Sequence, residues 1–550
     1  MKIEIKKNDV TQKLIECKNE ITPLQILNQE NQSEHTFVAA KLNNILINLE
    51  EKIHYDCTLQ FLDISTREGM RVYQDSLTFI FVQAVKTLFQ NAKVEVKHSI
   101  ADGYYIETYF RFLLTESDTE KLKERMKEFI SNDEKFIREK VKVSRARKIF
   151  ADEKTKLNLL ENFEDEEIAL YKFRDTYDYF TVPLVPSTGY LKLFDLKYTP
   201  PGIVLRFPRT NSPDEIGEYQ PQKNLLKIFT EYERWGNILE LSFADSLNQN
   251  IKQKNVGEVI QISEALHEKK IANIAEDIFH KKDFIKLILV AGPSSSGKTT
   301  FAKRLAIQLM VTFLSPVLIS LDSYFLDRDK TPKDCDGKLD FESINSLDKE
   351  LVNQHIKKLL DGEEVEIPKF DFRKGKREKS GRKIKLKDGQ ILIFEGIHGL
   401  NDKLTPSIDR KNKYKIYLSA LTQLNLDYHN HISTSDTRII RRIVRDAAFR
   451  GYSAHETLKR WDSIRRGEAK YIFKFQEESD AMFNSALVYE LGVLKKYAIP
   501  ALQNVSQEFY EYSEAQRLIR LLSFFLDISE DVIPKNSILR EFISGSVFEY

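Results

Sequence analysis

The sequence predicts an α/β protein: a parallel sheet carrying a phosphate-binding loop, preceded by a small β-grasp domain and an α+β domain. Two observations carry most of that reading. Residues 287–300, Leu-Ile-Leu-Val-Ala-Gly-Pro-Ser-Ser-Ser-Gly-Lys-Thr-Thr, form an apolar strand run that breaks into a glycine-bounded loop and opens an amphipathic helix. Two later apolar runs of strand length end in acids, Asp322 and Glu395, where an open parallel sheet presents its crevice.

Taken in order, residues 1–60 alternate apolar and polar side chains around one helix start near Thr22, which is the size of a β-grasp domain. Residues 61–225 read as a mixed α+β domain: a helix carrying Phe79, Phe81, Val82, Val85 and Leu88, a charged helical stretch over 117–145, and a Pro/Gly-punctuated β region near 183–208. The charged stretch reads as a solvated helix face rather than a binding arm. Residues 226–280 form a helical connector, 281–495 the phosphate-loop domain and 496–550 a C-terminal helical segment that packs on that domain or on a partner subunit. No internal repeat is evident.

Composition narrows the class. Lys+Arg 84 against Asp+Glu 83 leaves a net charge of +1, so any nucleic-acid role needs a local patch. Cys17, Cys57 and Cys335 are too few and scattered for a disulfide framework or a paired-cysteine metal site, which fits a reducing compartment. The start has no apolar signal core and no long uncharged apolar stretch occurs, so a cytoplasmic protein with no membrane partner is expected.

The chemistry concentrates in the second half. Gly292, Gly297, Lys298 and Thr299 fit the spacing that turns backbone N–H groups toward nucleotide phosphates, adds an ammonium charge and offers a hydroxyl to Mg²⁺. Asp322, after the strand run Val317-Leu-Ile-Ser-Leu, is placed to accept a proton from an attacking hydroxyl or to hold Mg²⁺, or else caps the next turn. Glu395, after Ile391-Leu-Ile-Phe, reads as a Mg²⁺ ligand acting directly or through water, and His398 as either a structural histidine or a substrate contact. At helical spacing Arg438, Arg441 or Arg442, and Arg445 share one face, which suits a lid closing over phosphates.

Together these motifs resemble the phosphoribulokinase/uridine kinase family over about residues 285–495. The carriers are Gly292 to Thr300, Asp322-Ser-Tyr-Phe, Phe341-Glu-Ser-Ile-Asn-Ser-Leu-Asp, Pro368-Lys-Phe-Asp-Phe, Glu395-Gly-Ile-His and Arg441-Arg-Ile-Val-Arg-Asp with Arg450-Gly. The resemblance implies transfer of the ATP γ-phosphate to the 5′-hydroxyl of a ribonucleoside, with ATP and Mg²⁺ as cofactors and Asp322, Lys298 and Arg445 as catalytic residues. It places ATP on Gly292, Pro293, Ser294, Ser295, Ser296, Gly297, Lys298, Thr299, Thr300, Arg441 and Arg442, and Mg²⁺ on Thr299, Asp322 and Glu395. Substrate would meet Tyr324, Phe341, Glu342, Phe370, Asp371, Phe372 and Arg450. Three positions depart from the family pattern: Glu342 stands in place of an aspartate, Phe370 of a tyrosine, and Gly375 near a base-contacting histidine. Base recognition should therefore differ, since buried hydrogen-bonding groups dominate such discrimination.

The first 225 residues resemble the front domains of threonyl-tRNA synthetases, through Val38-Ala-Ala-Lys-Leu-Asn, Asp75-Ser-Leu-Thr-Phe, Gly103-Tyr-Tyr and Val185-Pro-Ser-Thr-Gly. Where that family's editing domain has His-x-x-x-His and Cys-x-x-x-His pairs, this chain has Asp75, Phe79, Phe180 and Leu184, which cannot ligate Zn²⁺ as a set. This half is therefore expected to lack editing hydrolysis and to serve regulation, dimerisation or RNA contact, in a homo-oligomer. Besides a nucleoside kinase, the sequence admits a kinase of another small hydroxyl substrate, such as a sugar phosphate or pantothenate, and an RNA-associated regulatory ATPase.

Overall fold

A computed structural model describes the chain except residues 8–9, 31–35, 101, 112, 164–166, 335–336 and 372–373. The first unit contains β1 (Lys2–Lys7), β2 (Val10–Glu16), α1 (Pro23–Gln29), β3 (Ala39–Leu42), β4 (Ile45–Ile47) and β5 (Cys57–Leu62). They build a five-stranded sheet in the order β2-β1-β5-β3-β4, with β1 and β5 parallel at its centre. The helix starts where Thr22 accepts from the Gln25 N–H and Gln25 reaches back to the Thr22 backbone, with Pro23 first in the helix. The edge strand β2, which carries little apolar alternation, is almost wholly exposed.

The second unit runs through α2 (Arg67–Leu88), β6 (Lys93–Ile100), β7 (Gly103–Tyr109), α3 (Glu116–Ser131), β8 (Ile137–Lys142), α4 (Val143–Ile149), α5 (Lys154–Leu160), β9 (Glu167–Phe173), β10 (Thr176–Asp178), β11 (Asp195–Thr199) and β12 (Gly202–Arg206). Its strands form two sheets, β11-β12-β7-β6 and β10-β9-β8, against α2 and α3. One expectation is corrected here. The charged stretch is helical only to Ser131; Asp133 takes φ 49, and residues 137–142 pair with β9 as a strand, because burying Phe136 and Val141 outweighs the helix propensity of the charged residues around them.

Three helices follow, α6 (Lys223–Ile238), α7 (Ala244–Lys252) and α8 (Val256–His280). The phosphate-loop unit then contains β13 (Leu287–Ala291), α9 (Lys298–Val311), β14 (Ser315–Ser320), α10 (Lys349–Leu360), β15 (Val365–Asp371), β16 (Lys376–Ile384), β17 (Gln390–Glu395), β18 (Lys413–Ser419), α11 (Thr434–Arg445), α12 (Ala454–Tyr471), β19 (Ala481–Asn484) and α13 (Glu490–Gln503). Five of these strands form an all-parallel sheet in the order β14-β17-β13-β18-β19. Every residue of β13 is buried, the continuous apolar run expected of a central parallel strand. β15 and β16 form a separate antiparallel ribbon beside it.

The chain ends in α14 (Tyr512–Ser523) and α15 (Arg540–Ile543). α14 lies where the N-terminal units meet α11. Arg517 bonds Asp436 of α11 at 2.6 and 3.1 Å and Glu514 at 2.8 and 2.9 Å, while Arg67 and Arg71 of α2 pair with Glu514 at 3.0 and 2.8 Å. A second buried cluster joins the same units: Lys156 and His429 bond Asp178, and the Tyr179 hydroxyl donates to Asp427 at 2.6 Å. The buried charges of the first cluster, and Lys156 and Asp178 of the second, pair with opposite charges, while the buried Asp427 is held by the Tyr179 hydroxyl, the His429 and Asn430 N–H groups and the Asn430 amide.

Candidate active site

The loop after β13 is shaped by two glycines. A Cβ on Gly292 would stand 1.9 Å from the Leu418 carbonyl oxygen, and Gly297 takes φ 84 as it opens α9. Only glycine meets the first condition and glycine meets the second without strain. The first-turn N–H groups of α9 then point out of the sheet's C-terminal edge without helical acceptors. Lys298 folds along its own loop, its Nζ donating to the Pro293 carbonyl at 3.0 Å. Burial pulls the ammonium pKa down, against the opposing pull of Glu395, Asp322, Glu541 and Glu342.

The topology brings both strand-end acids to this loop. Ser320 of β14 is in register with Glu395 of β17, and Glu395 with Val290 of β13. The Ser320 hydroxyl donates to Glu395 at 2.9 Å and the Thr299 hydroxyl reaches the same oxygen at 3.4 Å. Asp322 does not cap its turn; the Ser320 hydroxyl does, accepting the Asp322 N–H at 3.3 Å. Burial and then the neighbouring Asp322 carboxylate push Glu395 up to about 7, with Lys298 opposing. A divalent cation fits this donor set, because two carboxylates and a hydroxyl converge where like charge is uncompensated.

Glu342 leans against α12, whose Gly467 leaves room for it: a Cβ there would stand 2.3 Å from the Glu342 Cβ. Its Oε2 is buried without a hydrogen-bond partner among the described residues, and burial followed by repulsion from Glu468 pushes the carboxyl up to about 7. Phe341 is half-buried and meets the Phe325 ring edge-on at 6.1 Å. Phe370 is buried, 5.6 Å from Phe325, and forms part of the wall's core. Asp371 closes the ribbon turn, accepting the Lys374 N–H at 3.1 Å. Phe372 lies outside the described residues, as does Cys335. His398 is buried beneath the site with neither ring nitrogen in a hydrogen bond of ordinary geometry, and burial lowers its pKa to about 4. Tyr324 is corrected: it is fully buried, its hydroxyl meeting His355 Nδ1 at 3.1 Å, so it supports the wall from behind instead of facing substrate.

The structure splits the arginine face in two. Arg438 and Arg441 are buried braces under the loop. Arg438 Nε donates to the Ser294 carbonyl at 3.0 Å and its guanidinium pairs with Glu468, which also accepts the Ser294 N–H at 2.9 Å. Arg441 bonds Glu490 at 2.6 Å, the Ser485 carbonyl at 2.7 Å and the Ser295 carbonyl at 3.4 Å. The expectation that Arg441 binds ATP is therefore corrected: its donors are spent on Glu490, on Ser485 after β19 and on the loop carbonyl of Ser295.

Arg442, Arg445 and Arg450 instead gather around the buried Asp446, at 3.2, 2.9 and 3.7 Å. Arg442 also donates to the Ser294 hydroxyl at 2.6 Å. Burial and the neighbouring Arg445 push Arg450 down to about 10, and Asp322 across the crevice opposes that shift. Three guanidinium groups on one carboxylate leave a net positive edge facing the loop, the composition an anionic ligand requires. Asp446, Glu468 and Glu490 carry no role in the sequence reading: Glu468 and Glu490 meet their α11 arginines only through tertiary packing, whereas Asp446 pairs with arginines one to four residues away, a local signal that could have been read.

In the N-terminal region, Phe79 and Phe180 stack edge-on at 5.4 Å in the core and Leu184 is fully buried. Asp75 is half-buried, and the partial burial pushes its carboxyl up to about 7, with Arg71 and Arg517 opposing. Among the described residues, no group of three or more His, Cys, Asp or Glu side chains is arranged to hold a metal ion.

A parallel sheet with a glycine-bounded phosphate loop and two acids on neighbouring strand ends defines a phosphate-loop protein of the kinase type. Residues 287–490 match the Phosphoribulokinase / Uridine kinase family. The chain is also similar to the threonine–tRNA ligase of Symbiobacterium thermophilum, 33% identical over 162 residues that make up 29% of this chain and 25% of that protein. With the ligase of Thermotoga maritima it shares 30% identity over 199 residues, 36% of this chain and 30% of the ligase. It thus spans well under half the length of the ligases it matches.

Among solved structures, it is similar to a possible uridine kinase from Bacillus stearothermophilus (21% identity, 27% of this chain and 79% of that chain, TM-score 0.24). It is also similar to the D-glycerate 3-kinase of Cryptococcus neoformans (15% identity, 48% of this chain and 89% of that chain, TM-score 0.23). The protein therefore carries a phosphoribulokinase/uridine kinase family domain joined to an N-terminal region homologous to part of threonine–tRNA ligases.

Proposed function

We propose that this chain is an ATP-dependent kinase that phosphorylates the 5′-hydroxyl of a ribonucleoside, uridine or cytidine first. One observation carries the reading: Lys298 and Thr299 after β13, Asp322 after β14 and Glu395 at the end of β17 meet on adjacent strand ends. Asp322 takes the proton of the acceptor hydroxyl as its oxygen bonds the γ-phosphorus, and the bond to the β-phosphate oxygen breaks to release ADP. Lys298 and the Arg442/Arg445/Arg450 edge offset the phosphoryl charge, and Glu342 positions the acceptor. Thr299, Asp322 and Glu395 are the residues that would hold Mg²⁺, which supplies charge neutralisation.

A neutral acceptor is favoured over a sugar phosphate because two of the ribbon cations beside the site are already matched, Arg377 with Asp348 at 2.7 Å and Lys374 with Glu378 at 2.8 Å. We infer for the N-terminal region a role in regulation, RNA contact or assembly of a homo-oligomer, since three of its four positions matching the editing ligands are apolar and the fourth is Asp75. Among the described residues no helix is long and apolar enough to cross a membrane, which is compatible with the cytoplasmic site we propose. The test is ADP release from ATP and Mg²⁺ against uridine, cytidine, adenosine, guanosine, ribulose 5-phosphate and pantothenate, with Asp322→Asn as control. Asp322-dependent turnover on a nucleoside is expected. Turnover only on the phosphorylated sugar or pantothenate moves the acceptor class. Silence across the panel, with salt-sensitive tRNA binding, supports an RNA-associated ATPase.

A further inference from the structure

The C-terminal end of the chain covers the phosphate loop. Ile538, Leu539 and Phe542 are buried, and Phe542 lies beneath the Arg441 guanidinium at 5.0 Å. Ile538 sits directly on the loop: a Cβ on Gly297 would meet its methyl at 2.4 Å. From α15, Glu541 reaches the first turn of α9, where its Oε2 accepts the Thr300 N–H at 3.1 Å and the Thr300 hydroxyl at 2.7 Å. The Tyr550 hydroxyl is 2.8 Å from the same Thr300 oxygen, and Lys303 donates to the Glu549 carbonyl.

These donors belong to the phosphate cradle. The N–H of Thr300 is one of the orphan donors at the start of α9, and the hydroxyl beside it adds a second hydrogen to the same anion. A carboxylate is thus held where this class of loop binds nucleotide phosphates, and Glu541 also lies within electrostatic reach of Lys298. The other ties of the last residues are exposed or local ones: Arg540 donates to the Ser544 carbonyl at 3.3 Å, Lys303 lies over the Tyr550 ring at 5.1 Å, and Ser546 bonds Phe548 and Tyr550. Ser544 and Gly545 take φ 77 and 72, the Val547 N–H bonds the Lys535 carbonyl at 3.0 Å, and Val547 and Tyr550 are exposed. The anchored residues of α15 can therefore stay in the core while the Glu541 side chain and the tail after it leave the loop.

We propose that Glu541 and the tail through Tyr550 form a built-in competitor for the nucleotide, docked on Thr300 in the free protein and displaced when a nucleoside triphosphate binds. The proposal rests on the reading of the loop as an ATP site. Closure lowers the apparent nucleotide affinity by the fraction of molecules that hold the open arrangement.

The test is calorimetric titration of MgATP, MgADP and adenosine into the full-length protein and into Glu541→Ala, with thermal melting to show that the variant is folded. Glu541→Ala should bind both phosphorylated nucleotides more tightly, by roughly tenfold as for one charge-assisted hydrogen bond, and adenosine no more tightly than the parent does. In the parent, hydrogen exchange of the 544–550 amides should speed up on MgATP addition. Glu541→Gln, which keeps an acceptor and loses the charge, should fall between the two and serves if the alanine variant does not fold. Parent protein that binds MgATP with an affinity no weaker than the variants overturns the competitor while leaving the nucleotide site standing. If neither parent nor variants bind MgATP, the nucleotide reading fails and the proposal with it.

Discussion

The α2 region of the N-terminal half and the crevice of the phosphate-loop domain both enclose ionisable groups, yet they treat them in opposite ways. Around α2 and α14, Arg67, Arg71, Arg517, Asp436 and Glu514 satisfy one another, although burial pushes the Asp75 carboxyl of α2 up to about 7, and Phe79, Phe180 and Leu184 fill positions where a related fold carries ligands. In the crevice, Glu342 has a buried oxygen without a partner and Glu395 is held beside Asp322. The first arrangement is what a structural joint needs and the second is what a ligand site needs. Strain from uncompensated charge is retained where binding relieves it.

The comparison can be broken by substitutions that should act on only one side. The largest effect is expected at Asp322→Asn, with kcat for phosphoryl transfer falling by about 10²- to 10⁴-fold while the urea midpoint stays put, read by coupled ADP release and denaturant melts. A variant that melts early with unchanged kcat would make Asp322 structural. Next comes Asp436→Ala, which removes one of the two carboxylates that hold Arg517 in the core. It should cost about 3–5 kcal/mol of unfolding free energy by urea titration, with KM for ATP unchanged in the folded fraction.

Phe79→Ala should cost about 3–4 kcal/mol by the same titration and leave turnover alone, since it removes core volume far from the loop. Lost turnover in well-folded Phe79→Ala would tie the N-terminal region to catalysis and dissolve the contrast. Smaller again is the effect of pH on Glu342. Its folded value of about 7 lies above the ordinary 4.5. The associated stability is fully present below about pH 4.5 and is lost as pH rises through about 7. Glu342→Gln should therefore unfold at a higher urea midpoint than the parent at pH 8, the two converging as pH falls toward 5, while kcat/KM for the acceptor drops. The least effect is expected at Lys374→Ala on the exposed ribbon, within about 0.5 kcal/mol, because surface ion pairs contribute little.

Much of this site is legible in local sequence. The apolar run 287–291, the glycines at 292 and 297 and the acids after 320 and at 395 announce a strand, a tight loop and two strand ends, each through short-range patterning. The arginines show the limit of that legibility. Helical spacing puts Arg438, Arg441, Arg442 and Arg445 on neighbouring positions of α11, but spacing does not say that Glu468 and Glu490 will arrive from α12 and α13 to claim the first two. Tyr324 is the same case. Its place two residues after Asp322 reads as a substrate contact, and the turn it occupies rotates it toward His355 and away from the crevice.

The sequence by itself determined the phosphate loop, the succession along the chain of the strands and acids that follow it, and the apolar side chains at three of the four N-terminal ligand positions. These depend on neighbours within a few residues or on side-chain chemistry alone. Tertiary structure decided which arginines brace the loop and which face its opening, where α14 docks, and that Glu541 lies on Thr300 across 241 residues of chain. Contacts at such separation are selected by the packing of whole elements, and no local pattern encodes them.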